Sequence, residues 1–400
     1  MHTMQKGSVW EVFRAFLVLG CTSFGGPVAH LGYFRAAFVE QRRWLTEQDY
    51  ADLVSLCQFM PGPASSQVGL CLGYARAGYT GAFAAWLGFT LPSAILLILF
   101  ALGMGHVGIF TDNGLLQGLK IVAVAVVAQA VWGMGKQLCP DRQRLTLMAI
   151  AAACVLLVPA VAMQMLVIVV AGTAGFLLYR RHEEPVAASR PLAVTESVSR
   201  AGVFLVLFFV LLFGLPVLAT LMSAEVAQVF DAFYRAGALV FGGGHVVLPL
   251  LQAEVVTPGW VDASTFLAGY GVAQAVPGPL FTFSAFLGAV LSTEMSGWGG
   301  GLFCLVAIFL PSFLLVFGVL PFWQRIRAVA GAQAALKGIN AGVVGLLLAA
   351  LYQPVWVAGI VSAPHFVLAV MAFLALSVWR LPPWLVVLGG GLLGWAFSLS

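Results

Sequence analysis

The sequence predicts an all-α polytopic membrane protein built from two homologous halves in inverted topology, with broken or re-entrant helices at FGG and PGP motifs. Three observations carry this. Of the 400 residues, 61% are hydrophobic and 8% charged, with a mean hydropathy of +1.00, whereas soluble domains carry about 25% charged residues. Apolar runs of about eighteen residues or more recur along the chain, long enough for a hydrocarbon core of roughly 30 Å. Four landmarks also recur in order at nearly constant spacing, the mark of an internal duplication.

The landmarks are specific. Phe24-Gly25-Gly26 returns 217 residues later as Phe241-Gly242-Gly243. Trp44 returns as Trp260, and Pro61-Gly62-Pro63 as Pro277-Gly278-Pro279, both 216 residues on. Leu91-Pro92-Ser93 returns as Leu310-Pro311-Ser312 at an offset of 219, and Gln58 and Gln274 each precede their PGP break by three residues. Residues 1–180 hold the first repeat and 225–400 the second. Between them, 181–224 comprise a cytoplasmic linker (the polar stretch runs over 180–200) and one unmatched apolar segment, 201–222. A single extra crossing between two copies turns the second upside down.

Charge placement tests the inversion, because Lys and Arg concentrate on the cytoplasmic side. With a cytoplasmic amino terminus and each FGG and PGP pair forming a hairpin that returns to its own side, segments 80–103, 114–135, 145–159, 162–179 and 201–222 cross in turn. In the second half 298–320, 332–352, 363–379 and 383–398 cross. The cytoplasm then receives Lys6, Arg14, Arg35, Arg42, Arg43, Arg76, Lys136, Arg142, Arg144, Arg180, Arg181, Arg190, Arg200, Arg325, Arg327, Lys337 and Arg380. Only Arg235 falls outside, and Lys120 lies within a span. Full crossing of both hairpin limbs, giving thirteen spans, preserves the same inversion, so charge alone leaves that alternative open.

The breaks suggest a use. Pro61 and Pro63 remove backbone donors and Gly62 permits a turn; Pro277, Gly278 and Pro279 repeat the device. Non-helical backbone is tolerated at membrane depth where protein or a water-filled cavity satisfies it. Pro63 and Pro279 can each open a new half-helix, whose amino end attracts anions. Ser65, Ser66 and Gln67 in one half, and Thr282 and Ser284 in the other, add neutral polar groups. Gly25, Gly26, Gly242 and Gly243 supply two further turns. Inverted copies would bring these ends together near the midplane.

Among single residues, Lys120 is the basic group inside a span and a candidate anion contact, although a lysine within a turn of the interface can snorkel out instead. Asn340 holds about the same place in the second half. Arg35, leaving the first FGG turn, is a candidate for anion attraction. His30 and His245, together with Asp52 and Glu254, are candidate proton carriers; imidazole titrates near neutral pH. The six cysteines show no metal-ligand or CxxC spacing and read as packing residues. No paired intramembrane carboxylates, metal cluster, phosphate loop or nucleophile–base arrangement stands out, so an enzyme and an ATP-driven pump are disfavoured. No cofactor, metal or nucleic-acid partner is expected, since the net charge of +4 comes from membrane-flanking residues. The amino-terminal stretch lacks a small-residue cleavage site, so no cleavable signal is expected.

With "FGGPVAHLGYFRAAFVEQRRWL" and "QFMPGP" in the first half, and "FGGGHVVLPLLQAEVV" and "AQAVPGP" in the second, the chain resembles the chromate ion transporter family, in the long two-domain form found in bacteria. The resemblance covers nearly the whole chain. It implies export of chromate from the cytoplasm across the inner membrane, driven by the proton-motive force and conferring chromate resistance. Related oxyanions such as sulfate stay open as substrates, as does a passive anion channel of the same architecture. The partners so implied are an oxyanion, protons and the lipid bilayer; homo-oligomerisation is left open.

Overall fold

The computed structural model describes residues 7–106, 113–158, 160–180, 197–222, 224–323, 326 and 329–398. Lys6, Arg181, Arg190, Arg325, Arg327 and most of the polar linker lie outside them. The described residues are helical, with no strand among them.

The first half opens with α1 (Val9–Thr22), capped by the Ser8 hydroxyl accepting from the Glu11 amide. The FGG turn follows, then α2 (Gly26–Arg35), which runs on as a wider π-turn over Ala36–Gln41. α3 (Glu47–Phe59) starts on Thr46, whose hydroxyl accepts from the Asp49 amide. After PGP comes α4 (Ala64–His106), a continuous rod only in outline. At Ala77 the backbone leaves helical geometry and at Gly78 φ is +67°, so 64–76 form a short arm and 79–106 a long helix. α5 (Asn113–Leu138), α6 (Arg142–Leu157) and α7 (Val161–Tyr179) complete the half.

α8 (Val198–Met222) is the unmatched segment. It packs on α9 and α13 at the periphery and buries only Ala201, Phe208 and Ala219. The second half repeats the first: α9 (Glu225–Ala238), the FGG turn, a 3-10 turn leading into α10 (Val247–Val255), and α11 (Ala263–Ala275). After PGP come a 3-10 turn and α12 (Phe283–Val290), then α13 (Gly297–Val319). α14 (Ala330–Ala350), α15 (Ala363–Ser377) and α16 (Pro383–Ser398) end it. The 64–76 arm of α4 thus corresponds to α12, and its 79–106 part to α13.

Six helices among the described residues, α4, α5, α7, α8, α13 and α14, are long and apolar enough to cross a membrane. The limbs of the broken hairpins are shorter: α1 and α9 have 14 residues each, α3 and α11 13 each. At 1.5 Å per residue each is about 20 Å long, less than the roughly 30 Å of a hydrocarbon core.

The halves exchange helices. α5 packs against α15 and α16 of the second half, while α14 packs against α6 and α7 of the first. Paired glycines allow this close approach, since bare backbones can touch. A side chain on Gly118 would strike the Gly390 carbonyl, and one on Gly338 would strike the Ala171 carbonyl and Gly175. The two contacts are reciprocal, a first-half helix meeting a second-half one in each: α5 meets α16 at Gly118, and α14 meets α7 at Gly338.

A cavity between the helix breaks

The PGP turns are tied reciprocally. The Gly62 amide donates to the Val240 carbonyl at 2.7 Å, and the Gly278 amide to the Ser23 carbonyl at 2.9 Å. Val240 and Ser23 are the residues before FGG in the opposite halves. Gly62 sits at φ +121° and Gly278 at φ +105°, conformations that need glycine. Gly62 lies under the Ser312 hydroxyl and Gly278 under the Ser93 hydroxyl, again matched residues of opposite halves. The two glycine amides are therefore occupied by protein. What a PGP break leaves for a ligand is the first turn of the helix behind it, where amides have no intrahelical partner.

The FGG turns also meet. Pro27 packs against Gly244, and the His245 ring reaches towards Gly26 while its Nδ1 lies 3.0 Å from the Tyr270 hydroxyl. Beside this junction is a cavity of about 450 Å³. Gln58, Gly62 and Ala64 line it from the first PGP break, Gly242 and Gly243 from the second FGG turn. Lys337 and Asn340 line it from α14, and Gln137 and Gln333 add amide groups. Lys337 is the one charged residue of this lining, and no carboxylate faces the space among the described residues. A cation, side-chain amides and a helix amino end make an environment for a small anion. Lys337 and Asn340 are three residues apart and so share a face of α14.

Around the breaks, polar atoms are buried without a protein partner: the hydroxyls of Ser23, Ser66, Thr90 and Ser312, Gln67 Oε1 and Gln274 Nε2. Most buried polar groups in proteins are hydrogen-bonded, so such a concentration marks the two breaks as polar ground. The other hydroxyls are engaged. Ser65 lies 3.4 Å from His30 Nδ1, Thr282 donates to the Pro279 carbonyl and Ser284 to Phe281. Gln67 closes the first PGP turn by donating to the Pro61 carbonyl.

The sequence candidates therefore divide. Gly62, Gly242, Gly243 and Asn340 come together in the cavity lining, with Pro61, Pro63, Ser65 and Ser66 immediately around the first break. Gly25, Gly26, Pro277, Gly278, Pro279 and Thr282 form the matching set of the other FGG turn and PGP break. Lys120 is elsewhere: its ammonium donates to Ser264 at 3.1 Å, at the start of α11 and a helix length from Gly278. Arg35 is held at the surface by Glu40 (2.6 Å) and Glu47 (2.7 Å). The Arg35 hydrogen bond in turn keeps the Glu47 carboxyl below its ordinary value. His30 is buried against Phe89, and Asp52 is buried on α3; neither lines the cavity.

Two features escaped the sequence reading. Lys337 counts there only as a cytoplasmic charge, although the signal was its place one turn before Asn340. The second is a buried carboxylate pair: Asp231 and Glu254 both contact Arg235 Nη2, at 3.0 and 2.9 Å. They lie 23 residues apart on different helices, so linear spacing gave no hint.

Comparison with known proteins agrees with this architecture. The chromate transporter family model matches residues 10–176 and 227–395, the two repeats. A chromate transport protein of Pseudomonas aeruginosa is 29% identical over 403 residues, covering 96% of this chain and 91% of the relative. One of Cupriavidus metallidurans is 26% identical, covering 98% and 94%. An uncharacterized transporter of Bacillus subtilis is 28% identical over 172 residues, 93% of its own length but 41% of this chain, so it has the length of a single repeat. No solved structure matches the chain. With both repeats matched by one family model and full-length relatives of the same two-repeat form, this membrane-embedded chain belongs to the chromate transporter family.

Proposed function

We propose that this protein exports chromate from the cytoplasm by secondary active transport across the bacterial inner membrane, coupled to the proton-motive force, and thereby gives chromate resistance. The observation that carries this reading is the cavity at the helix breaks, with Lys337 as the sole charge of its lining beside Gln58, Asn340 and the first turn of α4. The names of the full-length relatives supply the ion. In this reading the repeats are inverted and the amino terminus is cytoplasmic. The reciprocal ties of Gly62 and Gly278 support a two-fold relation between halves, α8 supplies the odd crossing, and the Lys and Arg bias supplies the orientation. Limbs of 13 and 14 residues favour re-entrance over full crossing. The cavity opens beside the carboxyl end of α5 and the amino end of α14, which the charge pattern puts on the cytoplasmic side.

Chromate flux in proteoliposomes, with and without an imposed pH gradient, tests the coupling. Uphill accumulation supports it; mere dissipation of a chromate gradient identifies the passive channel instead. Competition by sulfate in the same assay defines the ion range.

A further inference from the structure

The second FGG hairpin is clamped by an unbalanced ion cluster. Arg235, on the limb entering the turn, holds Asp231 from its own helix at 3.0 Å and Glu254 from the leaving limb at 2.9 Å, both through Nη2. All three are shielded: the side chains of Asp231 and Glu254 are 6% and 9% exposed, and that of Arg235 19%. Asp231 Oδ1 is buried with no protein partner, as is Arg235 Nε. Two carboxylates thus share one guanidinium nitrogen, which puts their contacting oxygens within about 6 Å of each other by the two measured distances. Like charges this close and this buried do not both ionise readily, and such a pair titrates as a unit.

The surroundings bring no second cation to the cluster among the described residues. α8, α13, α7 and α14 pack against α9 or α10. Arg200 is the charged residue of α8 and Lys337 that of α14, while α13 offers the buried thiol of Cys304 and α7 the phenol of Tyr179. Among the described residues, Arg235 is the cation within ion-pair distance of both carboxylates. The first hairpin has no counterpart: the positions matching Asp231, Arg235 and Glu254 at offset 217 are Arg14, Val18 and Ala37.

We infer that Asp231 and Glu254 share one exchangeable proton over Arg235, and that this is the proton-binding site of transport. The inference rests on the proposed coupling and names its site. Protonated, the cluster is neutral and Arg235 keeps one full partner. Deprotonated, it carries one excess negative charge between the limbs whose connecting turn, Gly242-Gly243, lines the anion cavity. Proton occupancy therefore bears on the same turn as the anion.

Purified wild type, Glu254→Gln and Asp231→Asn, each reconstituted in liposomes, test this in two ways. Each substitution leaves a one-to-one pair with Arg235, so a fold failure in one leaves the other informative. In infrared difference spectra at neutral pH, wild type minus either variant is expected to show the stretch of a protonated carboxyl. Its absence from both differences overturns the shared proton whatever transport does. Under an imposed pH gradient, each variant is expected to accumulate at least tenfold less chromate than wild type, and its remaining flux to lose pH dependence. Wild-type accumulation in both variants overturns the site's role in transport. If wild type itself fails to accumulate chromate, the proposed coupling falls, while the infrared result still decides whether the proton is there.

Discussion

Gly278 donates its amide to the carbonyl of Ser23, 255 positions earlier in the chain, and Gly62 returns the same bond to Val240. Each break is thus completed by the opposite half. An alanine at either glycine meets two obstacles: a positive φ, and a Cβ pressed on the opposite half, at 2.9 Å from Ser312 Oγ for Gly62 or 2.8 Å from Ser93 Oγ for Gly278. We expect Gly62→Ala and Gly278→Ala to lower both transport and the unfolding temperature of the purified protein. Backbone strain alone costs about 1–2 kcal/mol at such a site. Gly78, at φ +67° with open space around its Cβ position, is the control: Gly78→Ala should show the strain without the clash. Equal unfolding temperatures for all three variants would remove the cross-half contact from the explanation.

Lys337 is expected to dominate anion affinity from the cavity. Losing a hydrogen bond to a charged group costs about 1.5–3 kcal/mol, so Lys337→Gln should weaken chromate binding about tenfold to hundredfold. Lys337→Arg keeps the charge and should lose less. Lys120→Gln, removing an ammonium that is bonded to Ser264 away from the cavity, should change binding by less than Lys337→Gln does. Equilibrium binding of chromate to the detergent-purified variants measures this, and the reverse ranking would move the anion site to the other half.

Much of the fold was legible because breaks and periods are local. PGP and FGG interrupt their helices where the residues say, the apolar runs become helices, and the unmatched segment becomes α8. The site was legible by halves. Asn340 stood out as a polar residue in an apolar run, but Lys337 was absorbed into the topological charge count, because only packing shows that α14 turns this face to the cavity. Lys120 looked like the match of Asn340, yet α5 turns it towards Ser264. The Asp231–Arg235–Glu254 cluster and the Gly278–Ser23 bond join positions that no spacing rule connects. They depend on how the hairpins fold back and how the halves interlock.

Removal of Arg235 is expected to be severe. Arg235→Gln leaves two buried carboxylates without a cation, and breaking a buried pair by deleting one partner costs about 3–5 kcal/mol. Combining Arg235→Gln with Glu254→Gln should recover part of that loss, because one fewer buried carboxyl is left without its cation. Thermal unfolding of the single and double variants decides. Additive destabilisation would mean that the three side chains do not act as a unit.

Access to the cavity gives the last prediction. In a background without the six native cysteines, a cysteine at Gln58 or Gln333 replaces a cavity-lining amide, whereas Gln274, the match of Gln58, has its Nε2 buried. With the cavity open to the cytoplasm, Gln58→Cys and Gln333→Cys should react with a membrane-impermeant maleimide from that side, and Gln274→Cys should not. Arg42→Cys should label from the cytoplasm and Asp262→Cys from outside, which fixes the orientation independently of the cavity. Chromate should slow labelling at Gln58, beside Gly62 and the first turn of α4, in proportion to its occupancy of the cavity. Labelling of Gln58→Cys from outside together with Asp262→Cys would place the opening on the external face and reverse the direction in which this conformation loads its anion.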